Sequence, residues 1–245
     1  MTDFNIHSVP PFGVILHEGE TPSGHAFVAI ATLRTTNRKT GDMVQIWFLL
    51  KDVHPVEAVQ TGLDASTICR SCPFASGNGC YVNVGQAPLA VWKAYHRGLY
   101  PVVTAKHYRR LFYWRKVRFG AYGNPTLLPL EIVKAITSVS RGWTGYFHDW
   151  QDHPQAAEYA QYFMASTETK SSLALAQSLG YRTFHASPEK PEGSVECLAD
   201  ADGRTCADCL LCQGLSKSKA KNVWINPHGS RVNKAIAATQ ETTKV

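Results

Sequence analysis

The chain has no cysteine outside two short stretches, no long apolar run and none of the glycine-rich loops that cradle phosphates. Each absence excludes something. A membrane helix needs about 20 consecutive, mostly apolar residues, so no span is expected. The opening, MTDFNIHSVPPFG, lacks the basic start and apolar core of a secretory signal, which gives the expectation of a cytoplasmic protein. Without a Walker-type loop, a G-x-G-x-x-G or a G-x-S-x-G, nothing points to a P-loop nucleotide site, a dinucleotide fold or a hydrolase elbow. Without H-E-x-x-H or H-x-H spacing, the ten histidines give no sign of a hydrolytic zinc site. A magnesium nuclease needs clustered carboxylates. Asp149 and Asp152 are near each other in sequence, but no second acidic group is placed with them.

What is present is a globular composition. The 245 residues are 44% hydrophobic, enough for a core that needs no disulfide staples. The formal charge of +6 and isoelectric point near 8.9 permit contact with nucleic acid without demanding it. All seven cysteines fall in STICRSCPFASGNGCYVNVG, residues 66–85, and VECLADADGRTCADCLLCQG. In a reducing compartment such clusters bind metal or do chemistry more often than they form disulfides, and an odd number resists complete internal pairing.

Residues 1–50 read as a β-hairpin region, with the hairpin over roughly Ala26–Leu50. DVHPVEAVQTG reads as a short helix capped by Asp52 and stopped by Gly62, and two further helices follow the first cysteine loop. Over 117–228 strand-like and helix-like segments alternate, including a helix starting near Thr167 with Glu168 in its first turn. That rhythm predicts βα units and a parallel sheet. The expected fold is a single α/β domain over 1–228, an incomplete (β/α) barrel-like sheet with the hairpin region attached. A polar tail, 229–245, follows, either a loose helix or disordered. In parallel sheets, functional groups collect where strands end. Here those positions carry Gly120, Tyr122, Gly123 and Asn124, then His148, Asp149 and Trp150, then Ser166 and Thr167, then His185 and Ser187, then Asn226 and His228.

The downstream cysteines, Cys197, Cys206, Cys209 and Cys212, end in successive x2 spacings, which resemble ferredoxin-type iron–sulfur ligation. Structural zinc more often uses two C-x2-C knuckles separated by a longer span. Four thiolates would fill a [4Fe–4S] cluster. The upstream set, Cys69, Cys72 and Cys80, leaves one coordination position open. On iron that position can take a substrate or cofactor; on zinc it can hold a water whose acidity the metal raises. Tyr81 stands ready to cover the site, and His54, His96 or a downstream cysteine could close it as a fourth ligand.

The succession CRSCPFASGNGCYVN, VRFGAYGNP, TGYFHDW, FMASTET with LGYRTFHA, TCADCLLCQG and NPHG resembles a bacteriophage protein family of unknown function, the gene-product-88 type. More distantly it is similar to radical SAM iron–sulfur enzymes. The first resemblance covers roughly Trp47 to Gly229 and implies a phage protein in the host cytoplasm. The second implies that Cys69, Cys72 and Cys80 hold a [4Fe–4S] cluster whose open iron binds S-adenosylmethionine. It also implies that Gly120, Tyr122, Gly123 and Asn124 lie beside that cofactor, and that the downstream four hold an auxiliary cluster. The spacing C-x2-C-x7-C departs from that superfamily's C-x3-C-x2-C.

AKHYRRLFYWRKVRFG sets Lys106, Arg109, Arg110, Arg115, Lys116 and Arg118 among Tyr108, Phe112, Tyr113 and Trp114. Over 106–118 this pattern suits single-stranded nucleic acid, where cations meet phosphates and rings stack on bases, or a solvated helix leading into a buried strand. Three functions are therefore carried forward. The first is an iron–sulfur, radical-SAM-like phage enzyme acting on a nucleotide or nucleic acid. The second is a zinc-stabilised nucleic-acid-binding phage protein without catalysis. The third is a zinc-dependent hydrolase or deaminase, ranked last because the local sequence puts no Glu or His beside the cysteines.

Overall fold

Strands rich in Val, Ile, Phe and Ala begin the fold: β1 (Gly13–Glu20), β2 (Ala26–Thr32) and β3 (Val44–Leu50) pair antiparallel. The computed structural model describes residues 12–217, 221–229 and 231–239. Residues 1–11 and the end of the expected tail, 240–245, lie outside the described residues. The hairpin expected over Ala26–Leu50 is present, with Phe27 opposite Leu50. All seven residues of β3 are buried, the mark of a strand covered on both faces.

The crossover from β3 carries α1 (Pro55–Thr61), α2 (Leu63–Ser66), the first cysteine loop, α3 (Ala87–His96) and α4 (Ala105–Phe112). The cap of α1 is His54 rather than Asp52: its Nδ1 accepts from the Glu57 N–H at 3.2 Å. Pro55 takes the first helical position, where its missing N–H costs nothing, so the cap must be the residue before it. Gly62 ends the helix in the left-handed conformation, as expected.

From β4 (Lys116–Tyr122) the chain alternates: α5 (Leu130–Val139), β5 (Gly142–Thr144), β6 (Tyr146–Phe147), α6 (Ala156–Tyr159), β7 (Met164–Thr167), α7 (Lys170–Ser178) and β8 (Thr183–Ala186). Then come β9 (Val195–Glu196), α8 (Leu198–Ala201), α9 (Cys206–Cys209), β10 (Val223–Ile225) and α10 (Val232–Thr239). Helix α7 starts at Lys170, not near Thr167. Thr167 is wholly buried at the end of β7, while the Thr169 hydroxyl accepts from the Ser172 N–H and the Ser172 hydroxyl accepts in return. Glu168 therefore precedes the cap.

The strand orders are β1-β2-β3-β4-β5 and β6-β7-β8-β10-β9. From β3 to β5, and throughout the second sheet, pairing is parallel. Gly145 alone separates β5 from β6, so one extended segment belongs to both sheets. A Cβ there would lie 2.7 Å from the Phe163 ring. The result is a mixed α/β fold: an open run of parallel strands flanked by helices, with the hairpin on one side and no closed barrel. No helix among the described residues is long and apolar enough to cross a membrane.

Candidate metal centres

The first cysteine loop folds around a buried carboxylate. Asp64 Oδ1 accepts from the Ser76 hydroxyl at 2.7 Å and Oδ2 from the Ser76 N–H at 3.1 Å; the Cys69 thiol lies 3.8 Å from Oδ2. Between Cys69 and Cys72, Arg70 and Ser71 both take positive φ, 37° and 36°, a conformation that disfavours L-residues by about 1–2 kcal/mol each. Burial pushes the Cys69 thiol well up, with Cys72, Asp64 and Cys80 adding to it. It pushes Cys80 up to about 11, a Val82 backbone donor pulling back and Cys72 adding. These thiols sense one another, and burial outweighs the charge that Arg231 offers Cys80, a balance that a bound cation would reverse.

The parallel strands deliver polar groups to this loop. The Asn124 N–H donates to Ile68 O at 2.7 Å, tying the end of β4 to the loop. Tyr122 is buried, and its hydroxyl has no hydrogen-bond partner. Burial above all, then Cys69 and Asp64, drives its pKa upward. Asn124 is 1% exposed with both amide atoms unpartnered. Gly120 and Gly123 have φ of +73° and +83°, and a Cβ on Gly123 would stand 2.6 Å from Phe48 Cβ, so the backbone itself accounts for these glycines. Asp149, buried, accepts from Arg70 Nη1 at 2.6 Å and from the Thr126 hydroxyl at 2.8 Å.

His148 and Glu168 complete the rim. His148 Nδ1 is 3.4 Å from Glu168 Oε1, which accepts from the Ser166 hydroxyl at 2.8 Å. Burial opposes charge on His148, but Cys72 and Glu168 outweigh it and hold its pKa well above the ordinary value. The fold thus places His148 beside Cys72 and Glu168 behind His148, an arrangement absent from the local sequence. The other candidates are engaged elsewhere. His185 Nδ1 is 3.0 Å from the Thr167 hydroxyl, Trp150 donates to Ser166 O, and the Ser187 hydroxyl donates to Glu189 O. His228 and Asn226 lie towards Lys39 and Asp200. His153, the histidine nearest His148 in sequence, accepts from the Gln155 N–H. His54 caps α1, and His96 Nε2 is 2.8 Å from Lys51 O, so neither closes the three-thiol set.

The downstream cysteines converge. Cys197, Cys206, Cys209 and Cys212, with Thr144 and Val223, line one cavity of about 30 Å³, more than the ~10–15 Å³ one water needs. Leu210, between Cys209 and Cys212, is left-handed at φ 51°. Cys206 and Ala207 donate their backbone N–H groups to Lys39 O and Thr40 O at the tip of the β2–β3 hairpin. Burial pushes the Cys212 thiol up, the other three cysteines add to it, and Arg118 pulls back. Among the described residues, no three His, Cys, Asp or Glu side chains stand closely enough to grip a single ion as they are.

Arg118 joins the two groups. It is buried in β4 and donates through Nη2 to Tyr81 OH at 2.8 Å and Tyr146 OH at 2.7 Å. The two phenol oxygens are 2.8 Å apart. Tyr81 directly follows Cys80, and Tyr146 stacks on Phe184 at 4.5 Å. Tyr81 therefore reaches from the upstream loop to Arg118. Burial opposes the Arg118 charge, while Tyr146, Tyr81 and then Cys206 favour it. Arg118 is accordingly no part of a surface, although the sequence sets it in the basic stretch. Tyr108 and Phe112 of that stretch are also buried, whereas Tyr113 and Trp114 are exposed.

Comparison with protein-family models, curated proteins and solved structures finds no match. Sequence reasoning missed Asp64, the Arg70–Asp149 pair and the placement of Glu168, which depend on tertiary approach and leave no local signal. Arg118 did leave one: an arginine between Val117 and Phe119 in a buried strand is a buried charge in need of a partner.

Proposed function

We propose that this chain is an iron–sulfur protein with two clusters, and a phage enzyme of the radical-SAM-like type suggested by its more distant resemblance to that superfamily. One observation carries the reading: the cysteines are gathered into a three-thiol group at the strand rim and a four-thiol group around a cavity, with a buried guanidinium between. Cys69, Cys72 and Cys80 would hold the first cluster and Cys197, Cys206, Cys209 and Cys212 the second. The unpartnered Asn124 amide fits a polar cofactor beside the first group, with Tyr122 facing it and Gly120 and Gly123 shaping the strand end. Iron–sulfur clusters supply one-electron chemistry, and an open iron supplies a site for S-adenosylmethionine. The chain's own residues do the rest. Arg70 fixes Asp149 at the rim, His148 and Glu168 can hold a proton beside Cys72, and Arg118 offsets thiolate charge. The proposed substrate class, nucleotide or nucleic acid, rests on the net charge and the basic aromatic stretch.

A second reading has an observation of its own. With zinc at the three-thiol group, the adjacent His148–Glu168 pair would suit a hydrolase or deaminase, and with zinc at both groups the chain could bind nucleic acid without catalysis. Iron, zinc and acid-labile sulfide analysis of protein purified without oxygen separates these. About four to eight irons per chain with matching sulfide, and a spectral change when S-adenosylmethionine meets the reduced protein, are expected. One or two zincs without sulfide would replace the iron–sulfur reading.

A further inference from the structure

At the opposite end of the parallel strands from the Tyr122–His148 rim, the surface carries three exposed aromatic rings, each paired with an arginine. Phe12 is 76% exposed, Tyr113 59% and Trp114 65%. The guanidinium carbons of Arg34, Arg109 and Arg141 lie 5.8, 5.6 and 5.4 Å from the ring centres of Phe12, Tyr113 and Trp114. The three pairs form one surface. The Tyr113 and Trp114 rings are 6.4 Å apart. Arg115 donates to Leu33 O, and Leu33 N–H donates to Phe12 O at 2.8 Å. The Arg141 N–H donates to Arg115 O at 2.9 Å. Arg109, Tyr113, Trp114 and Arg115 come from the basic stretch; Phe12 arrives from just before β1, Arg34 from just after β2 and Arg141 from just before β5.

The geometry is costly without a ligand. Trp114 holds φ at 59°, a conformation disfavoured for a bulky residue, and there it exposes an indole to water. We infer that this surface binds a single-stranded nucleic acid, bases stacking on Trp114, Tyr113 and Phe12 and phosphates meeting Arg34, Arg109 and Arg141. Charge complementarity favours a polyanion: Arg34, Arg109 and Arg141 stand over the three rings, and Arg34 adds its charge beside Arg115, which Asp42 offsets in part. Rings with π-faces favour unpaired bases over a duplex, whose bases are already stacked. The surface shares no residue with either cysteine group, so it stands apart from the iron–sulfur reading and rests on it only in the choice of nucleic acid as partner.

The test is fluorescence anisotropy of labelled DNA and RNA strands of about 20 nucleotides, longer than the ~4–16-nucleotide footprint of single-strand binding folds. It is made on the full chain with iron and sulfide measured in the same preparation. Trp114→Asn keeps a residue that tolerates positive φ and removes the ring; affinity should fall by about five- to a hundredfold. Arg34→Gln and Arg141→Gln should each reduce the slope of log affinity against log salt by about 0.7. No binding to single strands at low salt overturns the inference. So does binding that Trp114→Asn leaves unchanged, or binding that heparin and duplex DNA match, the last indicating general polyanion attraction. Iron-free protein that still binds the strand upholds this surface while removing the iron–sulfur reading; iron-containing protein that fails to bind does the reverse.

Discussion

Arg118 has phenol oxygens as its hydrogen-bond partners, and a guanidinium buried in that way needs negative charge nearby to offset several kcal/mol of desolvation. Metal-bound thiolates at Cys206 and Cys212 would supply it; neutral thiols would not. Arg118→Met separates the two. If the downstream thiols are ligated, removing the cation leaves their charge uncompensated, and the variant should lose about 3–5 kcal/mol of stability together with metal from that group. Thermal unfolding with metal content in the same sample reads both. A variant as stable as the parent would mean neutral thiols. His185 makes a pH prediction. It is buried against Thr167, and burial lowers its pKa from 6.5, Glu168 only partly offsetting this. The unfolded chain then binds the proton more readily than the folded one. The stability owed to neutral His185 is complete above about pH 6.5 and is lost as pH falls through that value towards the lowered one. Urea midpoints measured at pH about 7.5 and about 5 should converge in His185→Gln relative to the parent.

Helix α10 belongs to the stretch that composition assigns to a polar tail, yet it closes on the first cysteine loop. Ala235 is buried, and a Cβ on Gly79, whose φ is +116°, would stand 2.5 Å from Ala235 Cα. Gly79→Ala should therefore push α10 off the loop. Hydrogen exchange should quicken across Val232–Thr239 while the β2–β3 hairpin keeps its protection, and unchanged exchange in α10 would contradict the contact. The case also marks where sequence reasoning works. β3 and the βα alternation from Lys116 onward were legible because VQIWFLL is a short continuous apolar run rich in β-formers and the amphipathic α5 carries the helical period. The two cysteine groups were legible from spacing alone. A helix in the tail was one of two expectations, but its docking on the first cysteine loop was not legible, because one alanine against one glycine leaves no pattern. Edge strand β9, two residues long, was not, because it exists only through pairing with β10. The rim pairs Arg70–Asp149 and His148–Glu168 were not, since each joins elements that the sequence separates.

At the scale of the molecule, the two sheets share the segment through Gly145 and one apolar core that runs from Val14 to Ala176, and of the described residues in 187–222 only Leu215 packs against it. Ala207 is the one buried apolar side chain among the described residues of that segment. Backbone bonds hold it in place: Cys206 and Ala207 to the hairpin tip, Cys197 to Trp224 O, and the Arg182 guanidinium on Leu211 O, Gly214 O and Lys221 O at 2.9, 2.9 and 2.7 Å. Bonds of this kind contribute about 1 kcal/mol each and do little to resist local opening without apolar burial behind them. On the proposed reading, the four thiols would supply the remainder by closing around a common ligand, much as a structural metal substitutes for a core. Replacing Cys209 and Cys212 together by Ser should release this segment while leaving the sheets folded. Trypsin should then cut first after Arg204, which lies in the exposed turn between α8 and α9, and leave fragments that stay associated with parent-like far-ultraviolet circular dichroism. If cleavage at Arg204 is no faster in the double variant than in the parent, the cysteines are not what holds the segment to the fold.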